Sequence, residues 1–262
     1  MAAMSHSQID AAGLSVELRR GGQGAPLIVI HGELGMPGWL DSFARLSEQY
    51  DVIVPSLPGY GRSTRPDWIM GVHDLAAWVT WFARDLDIRT PANVIGCSLG
   101  GWVAAELATV APQFFNKLVL VGAMGIKPDR GEIFDYFLDS GPTGLRRAFY
   151  RPEESAEYAR FWGRDWTPEE ADLVEQHREM TCRIAWKPYM HSLTLRHLLA
   201  GVRTPTLLVW GREDAITPLR VGEIYAQAIP RARLATIEQC GHMPEMEKPD
   251  EFTALVRNFF GP

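Results

Sequence analysis

The segment Gly96-Cys97-Ser98-Leu99-Gly100 restricts the fold of this chain more than any other. It follows the apolar run Val94-Ile95 and opens into the helix-like stretch Trp102-Val103-Ala104-Ala105-Glu106-Leu107-Ala108. A serine on a sharp strand-to-helix turn has its hydroxyl lifted clear of the sheet, and small flanking residues let that turn close. With 24 glycines in the chain, the pentapeptide alone can arise by chance. Its position and company have to carry the case.

Short β-type runs alternate with amphipathic helical ones along most of the sequence. Leu14–Leu18, Pro26–Ile30, Val52–Val54, Asn93–Cys97, Lys117–Val121, Thr206–Trp210 and Arg233–Ile237 read as strands. Trp39–Ser47, Leu99–Val110, Leu219–Ile229 and Asp250–Phe260 read as helices. A further helix is capped at Asp74, runs to about Leu86, and has Leu75, Trp78, Val79 and Phe82 on one face. Gly21-Gly22-Gln23-Gly24 reads as a turn. Continuous apolar strands alternating with helices predict a mostly parallel sheet with helices on both faces. Ligands in such sheets sit beyond the carboxyl ends of the strands. The loops after Ile30, Cys97, Val121, Trp210 and Ile237 therefore share one rim.

The 262 residues give room for one large α/β domain, or for one domain with a substantial insertion. The alternation breaks between about Met124 and Val202, a helical, aromatic-rich stretch. The expected organisation is a core of residues 1–123 and 203–262 with a cap of residues 124–202. A helical insertion at the active rim can act as a lid that excludes water. Most of its aromatics should form its own small core, with two or three lining a pocket.

A net charge of −6 argues against nucleic acid or an anionic membrane as a main partner. Cys97, Cys182 and Cys240 have neither metal nor redox spacing, and read as free buried thiols in a reducing compartment. No apolar run approaches the ~20 residues of a membrane span. No basic-then-apolar leader opens the chain. A cytoplasmic protein acting on a small molecule is the expectation; a homodimer is compatible with it.

A serine hydroxyl needs an adjacent base, held in one tautomer by an acid, to act as a nucleophile at neutral pH. His242 follows the last strand, beside Gly241 on the catalytic rim, and is preferred over the other six histidines. Glu213 and Asp214 follow Thr206–Trp210; the shorter reach of Asp214, one residue further round the turn, favours it as the acid. A tetrahedral oxyanion needs two backbone donors. The Leu99 amide is one. The loop His31-Gly32-Glu33-Leu34-Gly35 should supply the other from Glu33, with Leu34 the competing neighbour. A Glu33 carboxylate aimed into that hole would oppose the developing charge, so its side chain should turn away or hydrogen-bond elsewhere.

Together these motifs resemble the α/β-hydrolase superfamily over nearly the whole chain. The resemblance rests on His31-Gly32 after a strand, Pro58-Gly59-Tyr60-Gly61-Arg62-Ser63, Gly96-Cys97-Ser98-Leu99-Gly100-Gly101, Gly211-Arg212-Glu213-Asp214 and Gly241-His242. It implies an α/β-hydrolase fold with a helical cap after the sixth strand. It also implies a Ser98–His242–Asp214 triad in the family's chain order and catalysis without metal or organic cofactor. Serine at the elbow sets the chain apart from dehalogenases and epoxide hydrolases of this fold, which use aspartate there.

Two subfamilies are similar: capped carboxylesterases, and carbon–carbon bond hydrolases that cleave ring-fission dienoates. The second usually has a glycine-rich oxyanion loop, asparagine before the serine and tryptophan after the histidine. Here those positions hold Glu33-Leu34, Cys97 and Met243. It would also need a cap arginine for the substrate carboxylate, for which Arg178 and Arg183 are the candidates. A small hydrophobic or aromatic ester is therefore the first expectation, and Leu34, Met243 and Trp186 are the expected substrate contacts. A ligand-perceiving protein of low turnover is the reading from a different class.

Overall fold

The computed structural model describes residues 4–138 and 142–261. Eight strands form one sheet: β1 (Ser5–Ala11), β2 (Leu14–Gly21), β3 (Ala25–Ile30), β4 (Tyr50–Pro55), β5 (Ala92–Cys97), β6 (Phe115–Val121), β7 (Thr206–Gly211) and β8 (Ala232–Ile237). Their order across the sheet is β1-β2-β4-β3-β5-β6-β7-β8. β2 runs antiparallel to β1 and β4. Every later pairing is parallel. β5 and β7 are buried at every residue. Burial on both faces explains why they read as unbroken apolar runs rather than as alternating ones.

The helices of the sheet layer are α1 (Asp41–Leu46), α2 (Val72–Asp85) and α3 (Leu99–Val110). Between β6 and β7 the chain leaves the sheet and forms α4 (Pro142–Arg147), α5 (Ala156–Phe161), α6 (Pro168–Ala185) and α7 (Leu195–Leu198). It then returns to complete α8 (Leu219–Ala228), α9 (Pro244–Glu247) and α10 (Pro249–Phe260). The excursion departs where the sequence pattern broke; residues 139–141 within it lie outside the described residues. A parallel bridge between Gly125 and His191 ties its two roots together.

The strand β1 has no counterpart in the sequence reading. Ser5-His6-Ser7-Gln8 is polar and exposed, so hydrophobic alternation could not reveal it. Backbone pairing with β2, together with polar bonds such as His6 to Glu17 and Gln8 to the Arg62 carbonyl, defines this edge strand. The second difference is at α2, which starts at Val72, two residues before Asp74. The Asp74 carboxylate still caps the helix, accepting hydrogen bonds from the Met70 and Gly71 amides at 2.9 Å each. Cys182, on α6, is exposed; only Cys97 and Cys240 are buried. Among the described residues no helix is long and apolar enough to cross a membrane.

Candidate active site

Ser98 sits between β5 and α3 with φ 50° and ψ −114°, a left-handed conformation costly for a residue with a side chain. The surrounding glycines explain how the turn closes. A Cβ on Gly100 would lie 2.2 Å from the Ile30 carbonyl oxygen, and one on Gly96 would lie 2.6 Å from that of Gly100. The Ser98 amide donates to the Val121 carbonyl at 2.8 Å, fixing the elbow to the end of β6.

Three side chains from three strand ends meet there. His242 Nε2 lies 2.8 Å from Ser98 Oγ, and His242 Nδ1 lies 2.8 Å from Asp214 Oδ2. All three residues are buried. Asp214 Oδ1 accepts the Ile216 and Thr217 amides at 2.9 and 2.8 Å, so the carboxylate is held by its own loop and turned to the imidazole. Glu213 does something different. Its carboxylate accepts the Cys240 amide at 2.9 Å and so shapes the loop that carries His242. Glu247 completes that loop by accepting the amides of Gly241, Tyr150 and Arg151.

The loop after β3 brings Gly32 against the serine: a Cβ there would stand 3.0 Å from Ser98 Cβ. Among the described residues, neither the Glu33 nor the Leu99 amide donates to a protein acceptor, which leaves both available to a ligand. His31 braces the loop from beneath. Its Nδ1–H donates to the Gly32 carbonyl at 2.7 Å, and its Nε2 accepts the Leu57 amide at 2.8 Å. His177 of α6 braces it from above, with Nδ1–H donating to the Leu34 carbonyl and Nε2 accepting the Gly61 amide, both at 2.9 Å. Burial pushes both imidazoles down to about 4, so each keeps the neutral tautomer these bonds require. The spacing of His177 in sequence gave no hint of this latch between α6 and the loops at Leu34 and Gly61.

The cavity at Ser98 measures about 30 Å³, and Leu34 and Met243 are among the residues that line it. Trp186 does not. It is 55% exposed and packs on Phe137 and Tyr189 at the outside of the cap. The aromatic that reaches the cavity is Trp162, which also faces a neighbouring cavity of about 240 Å³. Leu34, Met36 and Pro37 share that wall. Arg178 is held by Glu175 and the Phe137 carbonyl, and Arg183 donates to the Pro66 carbonyl. Neither arginine lines the Ser98 cavity.

Two carboxylates do line it. Glu33 is 3% exposed, and among the described residues neither of its oxygens has a hydrogen-bond partner; of the two expectations for its side chain, turning away or bonding elsewhere, the second is not met. Glu245, from α9, is buried with Oε2 also unpartnered. Burial above all, with the Glu33 charge adding, pushes Glu245 up to about 7. His242 is subject to opposing forces. Burial disfavours its cation, but the charge and hydrogen bond of Asp214, with Glu33 and Glu245 adding, hold it up at about 9.

The chain matches the α/β-hydrolase fold family over residues 25–249. It is 30% identical to a 2-hydroxymuconate semialdehyde hydrolase of Pseudomonas putida, across 96% of this chain and 92% of that one. A pimeloyl-[acyl-carrier protein] methyl ester esterase of Vibrio parahaemolyticus is 29% identical, across 91% of this chain and 95% of that one. Among solved structures, a bacterial membrane phospholipase A superposes with a TM-score of 0.84 at 25% identity, covering 98% of this chain and 86% of that one.

Proposed function

The chain belongs to the α/β-hydrolase family, and from that premise we propose that it is a serine hydrolase acting on a small ester through an acyl-enzyme on Ser98. The observation that carries this reading is the continuous hydrogen-bonded line Asp214–His242–Ser98, with the undonated Leu99 and Glu33 amides beside it. Ser98 Oγ attacks the ester carbonyl as His242 Nε2 takes its proton, and the oxyanion forms between those amides. His242 then protonates the leaving alcohol. Water, deprotonated by the same imidazole, attacks the acyl-enzyme and releases the acid and Ser98. Asp214 stabilises the imidazolium in both halves of the cycle. The insertion between β6 and β7 serves as a lid that keeps bulk water from the acyl-enzyme.

Carbon–carbon cleavage of a dienoate is the second reading, favoured by the 30% identity to the semialdehyde hydrolase. The cavity supports the ester first. A dienoate would bring its carboxylate against Glu33 and Glu245, with no arginine there to receive it. Turnover of p-nitrophenyl butyrate, compared with that of 2-hydroxymuconate semialdehyde, tests the order. A kcat/KM at least about a hundredfold higher for the semialdehyde would reverse it.

The charge on His242 sets the pH dependence. A protonated imidazole cannot accept the serine proton, so kcat/KM for the ester should climb about tenfold per pH unit and level off above about 9. Glu245→Gln removes one negative neighbour of the imidazolium and should move the midpoint toward lower pH. An unchanged midpoint in that variant would mean that Glu245 does not act on His242.

A further inference from the structure

The serine hydrolase mechanism makes no use of the Glu33 and Glu245 side chains, yet both stand in the wall of the nucleophile cavity. A carboxylate removed from water is unfavourable unless it is paired, hydrogen-bonded or neutralised by a proton. Glu33 has no partner on either oxygen. The buried Tyr136 hydroxyl stands beside the Glu33 carboxylate without closing a well-formed hydrogen bond to it, and one such hydroxyl could serve only one of the two oxygens. Glu245 has one oxygen free and otherwise faces the Cys97 thiol, whose ionisation burial and the Glu245 charge both suppress. No lysine or arginine lines the cavity; its one basic side chain, His242, bonds to Asp214 and Ser98 and feels the charges of Glu33 and Glu245 without bonding to either. The remaining walls are apolar, from Leu34, Met36, Leu40, Met243 and Met246, with the indole of Trp162. Carboxylates and an aromatic ring around a small apolar space form a receptor for an organic cation.

We propose that this cavity selects substrates carrying a protonated amine, which Glu33 and Glu245 receive as hydrogen-bonded counter-ions beside Trp162. The proposal rests on the reading of Ser98 as nucleophile and adds the class of substrate. An ammonium group supplies three N–H donors, which can satisfy the free carboxylate oxygens together. The space of about 30 Å³ is enough for a group the size of a water molecule, and an ammonium head is of similar size. The rest of the substrate would extend past Leu34, Met36 and Trp162 into the cavity of about 240 Å³ that shares those side chains. The same charges disfavour an anionic substrate.

Binding of hexylammonium, 1-hexanol and hexanoate to the full-length protein, measured by calorimetry at one pH and salt concentration, tests the proposal without depending on turnover. Hexylammonium should bind at least about tenfold tighter than hexanol, and hexanoate most weakly. In Glu33→Gln and Glu245→Gln the ratio of hexylammonium to hexanol affinity should shrink severalfold, and in the double variant approach one. The matched esters methyl 6-aminohexanoate and methyl heptanoate should show the same order in kcat/KM. Equal or reversed affinities in the unaltered protein would overturn the proposal. So would a ratio that survives both substitutions. Failure of the nucleophile reading is separately visible, as absence of fluorophosphonate labelling at Ser98 whatever the binding order.

Discussion

Ser98→Ala will lower kcat for p-nitrophenyl butyrate by about a million-fold while leaving the protein folded. The alanine methyl has no proton for His242 Nε2 to accept and no lone pair to attack the carbonyl, so the acyl-enzyme cannot form. The residual rate comes from the Leu99 and Glu33 amides, which still polarise a bound ester toward attack by water. Loss of the hydroxyl also frees a left-handed residue from its hydrogen bond to His242. Circular dichroism and unfolding midpoints must therefore accompany the rates. The measurement is steady-state kinetics together with mass spectrometry after a fluorophosphonate. The unaltered protein should gain one covalent adduct and Ser98→Ala none. A variant that keeps activity within about a hundredfold would mean that another nucleophile carries the reaction.

How much of this site was legible in the sequence depends on what set each residue's position. The elbow was legible because the turn that gives Ser98 its positive φ sets Gly100 against the Ile30 carbonyl and Gly96 against that of Gly100, so only glycine fits at those offsets. The sheet was legible because strands buried on both faces leave continuous apolar runs. His242 was legible from its place after the last strand. Glu245 was not, since a glutamate three residues after a catalytic-type histidine looks like any solvated acid on a helix start. Only the packing of α9 against α5, α1 and β7, with Glu245 beside Cys97, turns it inward. His177 and Trp162 were hidden for the same reason. Both act across the seam between insertion and core, and the sequence carries no register for two segments that meet only in space. Trp186 shows the converse: an aromatic in the right segment sits on the outer face, because Phe137 and Tyr189 offered it a partner there. The strand β1 is held by backbone pairing with β2 and by polar side-chain bonds from Ser5, His6 and Gln8, which leave no hydrophobic alternation to read.

Asp214→Asn will reduce kcat by about ten-thousand-fold, whereas Glu213→Gln will change it by less than about tenfold. The argument turns on the two oxygens of Asp214. Oδ1 is fixed as an acceptor by the Ile216 and Thr217 amides. In asparagine only one terminal atom is an acceptor, so it must occupy that position, and the NH2 group then faces His242 Nδ1. A donor there cannot meet Nδ1–H. The imidazole is driven to carry its proton on Nε2, where it points at Ser98 Oγ and cannot accept the serine proton. The loss comes from a reversed tautomer in an otherwise intact site, so substrate affinity should change far less than kcat. Removing the carboxylate charge also withdraws the main support for the imidazolium, and the rise of kcat/KM with pH should shift downward from about 9. Glutamine at 213 can still accept the Cys240 amide through its carbonyl oxygen, which preserves the His242 loop. If Glu213→Gln proved the crippled variant and Asp214→Asn remained near full activity, the acid of the triad would have to be reassigned to Glu213.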